Sequence, residues 1–471
     1  MSGGSSAADA PRPLHFAAFV MNTASHITHG LWRQPEGEQL RFNELDLWVD
    51  LAKTLEAGGF DAIFFADVVG LYGDYRGDWD FHAELGLQIP SNDPLVILSA
   101  LASHTKHLGL AFTAGPIQQP PFNLARQVAT LDHASDGRIA WNVVSNLLGW
   151  KNFGHDERYD LDDRYALLDE YLDVLYKLWE GSWDEGALLQ DRTSGLHADP
   201  SKIHKIHHES AHYRVEGPAL VAPSPQRTPL IFQAGSSPVG RDFAARHAEA
   251  QFIASPDPDN ARALIDDTRR LAASHGRRRD DLKFFQGLSF VVGATEDEAR
   301  ARERELEEQI DVDGQIAHFG GSVGIDLGGY DPDTPIDQVH TEGGQSGLAW
   351  LRESTGGRAP TLEDVVRLRA RGGRVVGTPE QIADRLAAWR DAGVDGINVI
   401  NATIPGSYVE FIDHVLPVLR ERGLAAAIPD PDAPAQTLRA RLFGTDRLSD
   451  RHPAAAYRGA FTPLPAPIAA D

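Results

Sequence analysis

The chain has 471 residues, 42% of them hydrophobic and 24% charged, with a net charge of −24 and no cysteine. Disulfides, thiolate nucleophiles and cysteine-held metals are thereby excluded, and so negative a chain is a poor partner for nucleic acid or an anionic membrane surface, which both recruit cationic faces. No run approaches the ~18 uninterrupted apolar residues of a spanning helix, and the composition fits a cytoplasmic protein.

Residues 1–13 read as a disordered leader with no signal-peptide pattern. Leu14 to Met21 is an apolar run that reads as the first strand. An amphipathic helix over 41–57 ends at Gly58-Gly59 and feeds a second strand, 61–66. Asp93-Pro94 opens a helix over 93–104, and Leu108 to Phe112 is the third strand. A helix over 122–134 precedes the fourth, Arg138 to Val144. Residues 162–180 form a long amphipathic helix. The rhythm breaks at 184–227, an insertion with a short hairpin expected around Glu216-Gly217-Pro218.

The strand–helix alternation then resumes. Strands are expected at Pro229–Gln233, Gln251–Ala254, Leu282–Gly293 and Ile397–Asn401. Helices are expected from about Pro238 to Ala248, then through 271, and over 296–311, 361–370, 378–391 and 408–422. A second, glycine-rich break covers 312–358, and 423–471 reads as a C-terminal surface tail. Repeated strand–helix units require a parallel sheet, and about eight of them close an α/β barrel, the TIM (β/α)8 fold. The expected organisation is one barrel over 14–422 with insertions at 184–227 and 312–358.

In such a barrel the chemistry sits at the carboxyl ends of the strands. Asp67, ending Phe64-Phe65-Ala66-Asp67, is the first candidate. After strand one come Ser25, His26 and His29, which suit acid/base or substrate-orienting work, or plain turn formation. Ala234-Gly235-Ser236-Ser237-Pro238 lies between a strand and a helix. It reads either as a phosphate cradle of free N–H groups or as a well-capped turn. No GxGxxG follows a strand, so a Rossmann dinucleotide site has no support. His208-Glu209-Ser210-Ala211-His212 has the HExxH spacing. On an extended segment, however, positions four apart lie ~13 Å from each other, so a solvent-facing hairpin without metal is expected. Gly320-Gly321-Ser322-Val323-Gly324 matches GxSxG but has no apolar strand before it, as a nucleophile elbow requires.

Taken together, several segments resemble the bacterial luciferase-like flavin monooxygenases, within them the subgroup acting on alkanes, nitrilotriacetate and dibenzothiophene sulfone. They are His26-Ile27 with His29-Gly30-Leu31-Trp32, Phe65 to Gly70, Ile89-Pro90 through Asp93-Pro94, Thr130 to His133, Trp141 to Val144, and Asn152 to Tyr159. Ser224 to Pro229, Gln233-Ala234-Gly235, and Ala317-His318 with Gly320-Gly321 complete the series. The likeness runs from about residue 15 to 460.

The resemblance implies a TIM barrel and a two-component monooxygenase. Such an enzyme takes reduced FMN from a separate NAD(P)H:flavin reductase and uses O2 to oxygenate a small organic molecule. It also implies a homodimer or homotetramer. By the family's pattern Asp67, Asn146, His155, Tyr159, Ser236 and Ser237 are flavin contacts. His26, Tyr72, Gln88 and His318 line the substrate cavity, with His26 nearest the reacting oxygen and His318 contributed by a lid. Thr23 and Leu147 stand where alkane-oxidising members carry a cysteine and a histidine, so they are expected to set substrate choice. The alternatives are a deazaflavin-dependent oxidoreductase of the same fold, a hydrolase working through Ser322 or a metal, and a non-catalytic flavin-binding homologue.

Overall fold

The computed structural model describes residues 12–146, 148–155, 160–339, 359–371 and 373–462. Eight parallel strands close a barrel: β1 (His15–Met21), β2 (Ala62–Ala66), β3 (Gly109–Ala114), β4 (Ile139–Val143), β5 (Leu230–Gln233), β6 (Ala250–Ile253), β7 (Lys283–Val292) and β8 (Gly396–Ile400). Each pairs with the next, and β8 returns to β1. The TIM barrel expected from the sequence is the observed fold, and each expected strand overlaps one barrel strand.

The closure follows from period-two patterning. On β1, Ala17 and Phe19 point inward, matched by Ala62 and Phe64, Ala111, Ala140, Leu230 and Phe232, Ala250, Phe252, and Phe285. Large rings thus alternate with alanines around the axis. Phe19 packs on Phe64 at 5.4 Å, Phe64 on Phe232 at 5.2 Å, and Phe232 on Phe285 at 5.3 Å between centroids. Each buried ring contributes ~1.5–3 kcal/mol by leaving water. The opposite strand faces meet the helices in a second, larger core that includes Trp48, Leu98, Trp141, Tyr171 and Leu386. Helix starts are capped from the sequence: Asp93, Asp160, Ser237, Asp257, Thr295 and Thr378 each accept a backbone N–H.

The glycine-rich stretch after 311 begins with a helix, Val312–Val323, capped by Asp311. Its Ile316 and Ala317 join Tyr75, Leu87, Leu327, Leu362 and Val366 in a satellite core. Gly321 is small for a packing reason: a Cβ there would run into the carbonyl oxygen and Cβ of Tyr72. The GxSxG run is the last turn of this helix, where Ser322 Oγ donates to Phe319 O at 2.7 Å.

The 184–227 segment turns elsewhere than expected. Its hairpins are Leu188–Asp191 with Leu196–Ala198, and His208–Glu209 with Arg214–Val215. The second closes at Ser210–Tyr213, through Ser210 N to Tyr213 O at 3.0 Å, rather than at Gly217-Pro218. His208 is buried beside Lys177 Nζ, 3.0 Å from its Nδ1, and does not face solvent, whereas His212 reaches out to Glu170 at 3.0 Å.

Beyond residue 423, the helix Leu438–Phe443 inserts Leu438 and Leu442 into the barrel's interior cluster. Arg441 Nη1 reaches His107 O at 3.1 Å, and Lys283 lies over the Phe443 ring at 5.3 Å. This segment closes the amino-terminal end of the barrel. Water and ligands are thereby left the carboxyl end. Among the described residues no helix is long and apolar enough to cross a membrane.

Candidate active site

The loop after β1 docks on the helix Val312–Val323 through one helical face. His29 O accepts from Asp311 N at 3.0 Å, Ile27 O accepts from Gln315 Nε2 at 3.2 Å, and His29 Nε2 meets His318 Nδ1 at 2.7 Å. Positions 311, 315 and 318 recur at helical spacing. Gly30 lies so close to Gln309 O and Asp311 N that a side chain would force the two apart. This docking brings His318 from outside the barrel to its mouth.

There His318 meets Tyr72 edge-on at 4.3 Å between ring centroids. His26 packs against Phe19 at 4.9 Å, and its carbonyl accepts from Gln88 Nε2 at 2.9 Å. His26 Nδ1 and Gln88 Oε1 are buried without a partner among the described residues. Burial pushes both His26 and His318 down to about 3; the neighbouring His318 ring lowers His26 further, and the Arg369 guanidinium lowers His318 further. Burial raises the Tyr72 hydroxyl to about 12. The cluster is therefore an enclosed set of neutral hydrogen-bonding groups near pH 7. Thr23 stands beside it, with Oγ1 donating to Pro90 O at 2.8 Å, so its hydroxyl is already engaged.

Asp67 follows β2. Burial, and then the Asp93 carboxylate, push its carboxyl up to about 7, while Gln118 Nε2, 3.4 Å from Oδ2, works in the opposite direction. Gln118 Oε1 in turn accepts from Gly115 N at 2.5 Å. Gly115 leaves the space that the Asn146 amide fills. Asn146 adopts a left-handed φ of 51°, and its Oδ1 is buried without a partner among the described residues. Asn142, on the inner face of β4, leaves Oδ1 in the same state. The loops after β2 and β4 touch through Asn152 Nδ2 and Val69 O at 3.0 Å. His155 packs on Trp150 at 5.3 Å. Tyr159 and Leu147 lie outside the described residues.

Farther round the mouth, Ser237 caps the helix Pro238–His247 by accepting from Gly240 N at 3.1 Å, and Ser236 is exposed beside it. Gly235 has no room for a side chain, because Tyr165 Oη and Gln233 Nε2 press on it. Tyr165 links this turn to Gln233 at 3.2 Å. A helix amino terminus with two hydroxyls suits a phosphate. The buried, partnerless Oδ1 atoms of Asn142 and Asn146 and the raised Asp67 carboxyl suit the polar edge of a heterocycle. The residues present therefore fit a flavin mononucleotide.

The structure thus gathers His26, His318, Tyr72, Gln88 and Thr23 on the β1 side, and Asp67, Asn146, His155, Ser236 and Ser237 around β2 to β5. His29 was legible in sequence only as one of two neighbouring histidines. Its Ser25 partner four residues earlier was the available signal.

The luciferase-like monooxygenase family model matches residues 21–396. The long-chain alkane monooxygenase of Geobacillus thermodenitrificans (strain NG80-2) is 42% identical, covering 95% of this chain and 98% of that protein. The dimethyl-sulfide monooxygenase of Hyphomicrobium sulfonivorans is 41% identical, covering 94% and 93%. Among solved structures, a riboflavin lyase with modified FMN and riboflavin superposes with a TM-score of 0.85 at 37% identity, covering 95% and 100%. The chain belongs to the luciferase-like monooxygenase family and is a flavin-dependent monooxygenase.

Proposed function

We propose that this chain takes reduced FMN from a separate NAD(P)H:flavin reductase and oxygenates a small organic substrate of low polarity, of the alkane or dialkyl sulfide kind. The observation that carries the substrate class is the pair His26 and His318, both held neutral in an enclosed mouth with Tyr72 and Gln88. A carboxylate set directly against these two neutral imidazoles would lose its hydration and gain no opposite charge from either ring.

What supports FMN is the helix amino terminus with its hydroxyls at Ser236 and Ser237, the partnerless buried polar atoms of Asn142 and Asn146, and the relative solved with modified FMN. Ser237 and the helix amino terminus would hold the phosphate, and Asp67, Asn142 and Asn146 would face the ring. Reduced flavin supplies the two electrons that activate O2. The chain's own part is to exclude water, orient the substrate and offer hydrogen bonds from His26 and His318. Thr23 and Leu147 are proposed to tune substrate choice. The missing dinucleotide fingerprint supports dependence on a partner reductase. The same reading has the protein cytoplasmic and assembled as a homodimer or homotetramer, which sedimentation would measure.

The test is mass spectrometry of products formed under 18O2 with a generic flavin reductase, across alkane, sulfide, sulfone and amine substrates. One labelled oxygen in an alkane or sulfide product is expected. Turnover confined to multiply charged substrates would overturn the substrate class. Rapid NADH consumption with FMN and no reductase would overturn the two-component reading.

A further inference from the structure

His318 is delivered by a helix outside the barrel, and an imidazole so placed could flip or change tautomer. One ring nitrogen is tied. His318 Nδ1 meets His29 Nε2 at 2.7 Å, and His29 Nδ1 meets Ser25 Oγ at 2.6 Å. The two rings meet edge-on at 4.8 Å. Ser25 and His29 are both buried. Among the described residues the His318 ring makes its hydrogen bond through Nδ1, which leaves Nε2 as its second polar atom on a partly buried side chain.

A neutral imidazole carries one proton, so this line has two self-consistent arrangements. In one, Ser25 donates to His29 Nδ1 and His29 Nε2 donates to His318 Nδ1. His318 Nε2 then bears the remaining N–H and is a donor. In the other, every bond reverses: His318 Nδ1 donates to His29, His29 Nδ1 donates to Ser25, and His318 Nε2 is an acceptor. Doubly protonating either ring in this enclosure would bury a charge with no carboxylate bonded to it. The state of one end therefore fixes the other.

We propose that His29 is a positioning residue for His318: with Ser25 it locks the ring's orientation and couples the proton on His318 to the direction of the Ser25 hydroxyl. A donor or an acceptor at His318 Nε2 toward substrate and flavin is thereby tied to the state of the buried Ser25–His29 pair. The loop-to-helix contacts at Asp311 and Gln315 hold the helix in place, and the His29 bond adds the ring's chemical state. This rests on the reading of His318 as a cavity-facing group.

The test combines a spectroscopic readout with a double-variant cycle on the full-length protein. In 15N-histidine-labelled protein, the His29–His318 bond should give a solvent-protected imidazole N–H signal. It should vanish in His29→Phe and in His318→Phe, persist in Ser25→Thr, and weaken in Ser25→Ala. The last variant removes only a hydroxyl and keeps the proposal testable if His29→Phe folds poorly. With reductase, FMN and the best substrate of the panel, each histidine variant should lose at least tenfold in turnover. The double variant should lose no more than the worse single one, because both remove the same device. Affinity for reduced FMN should stay within threefold.

Effects of His29→Phe and His318→Phe that multiply, or an N–H signal surviving in either, would overturn the relay. A tenfold loss in His318→Phe with none in His29→Phe would overturn the relay alone. No loss in His318→Phe would overturn the reading of His318 and the relay with it.

Discussion

Arg439 and Glu249 form a two-pronged ion pair at the base of the barrel, with Nε to Oε1 at 2.7 Å and Nη2 to Oε2 at 2.9 Å. Both side chains are buried. Arg439 also donates to Thr228 O at 2.9 Å, and Glu249 Oε2 accepts from Ile231 N at 3.2 Å. The pair pins the helix Leu438–Phe443 beneath β5 and β6, so a distant segment of the chain finishes the barrel floor.

Breaking that pair from one side strands a buried carboxylate. Arg439→Met should cost about 3–5 kcal/mol in urea unfolding, and Arg439→Met with Glu249→Met clearly less, because no charge is left unpaired. Reduced-FMN affinity should hold in any variant that remains folded, since the pair lies at the opposite end from the mouth. A double variant as unstable as the single one would show that packing, not charge, dominates there.

Asp67 gives the flavin-free protein a pH signature. Its folded pKa, about 7, lies above the ordinary carboxyl value of 3.8. The native state therefore holds a proton that the unfolded state has released between about pH 4 and 7, so stability from this group is full below pH 4 and is lost as pH rises to 7. Asp67→Asn cannot titrate. Relative to the parent it should gain about 1–2 kcal/mol between pH 4 and pH 8, less than the ~4 kcal/mol of a fully dry three-unit shift, because Asp67 keeps some solvent contact. Denaturant melts at the two pH values measure this, and parallel curves would mean that Asp67 is ionised throughout.

Ser237 separates capping from phosphate binding. Ser237→Ala removes the cap on Gly240 N and should cost about 1 kcal/mol of stability. Ser237→Asp keeps a good cap but sets a carboxylate against the phosphate, so stability should hold while reduced-FMN affinity falls at least tenfold, about 1.4 kcal/mol. Anaerobic titration reads the affinity, and an unchanged value would move the phosphate elsewhere.

Gly321 tests the lid. A methyl group there would collide with Tyr72 backbone and side-chain atoms. Gly321→Ala should therefore push the helix Val312–Val323 off the Tyr72 loop, at about 1–3 kcal/mol of stability. Turnover should fall well beyond the change in FMN affinity, because His318 and Tyr72 separate. Equal losses in both would place the lid against the flavin instead of the substrate.

The barrel was legible because its rule is local. Runs such as Ala17 to Met21 and Ala62 to Ala66 are the continuous apolar stretches of strands buried on both faces, the second delivered by the amphipathic helix Leu45–Gly58. Asp67, His26 and Ser237 could be singled out for the same reason, since a strand's carboxyl end is visible in the sequence and a barrel assigns it to the site. The stretch after 311 misled because its glycines look like loop, whereas Gly320 and Gly321 are small to let other segments approach a helix.

What only the tertiary structure decided are relations across long separations. That His318 answers His29, 289 residues away, and Arg439 answers Glu249, 190 away, follows from packing that no local period encodes. The protonation behaviour of Asp67, His26 and His318 depends on how much water the finished mouth excludes and which charges face it. A residue's type sets its ordinary affinity for a proton, but the folded surroundings set the energy of its charge.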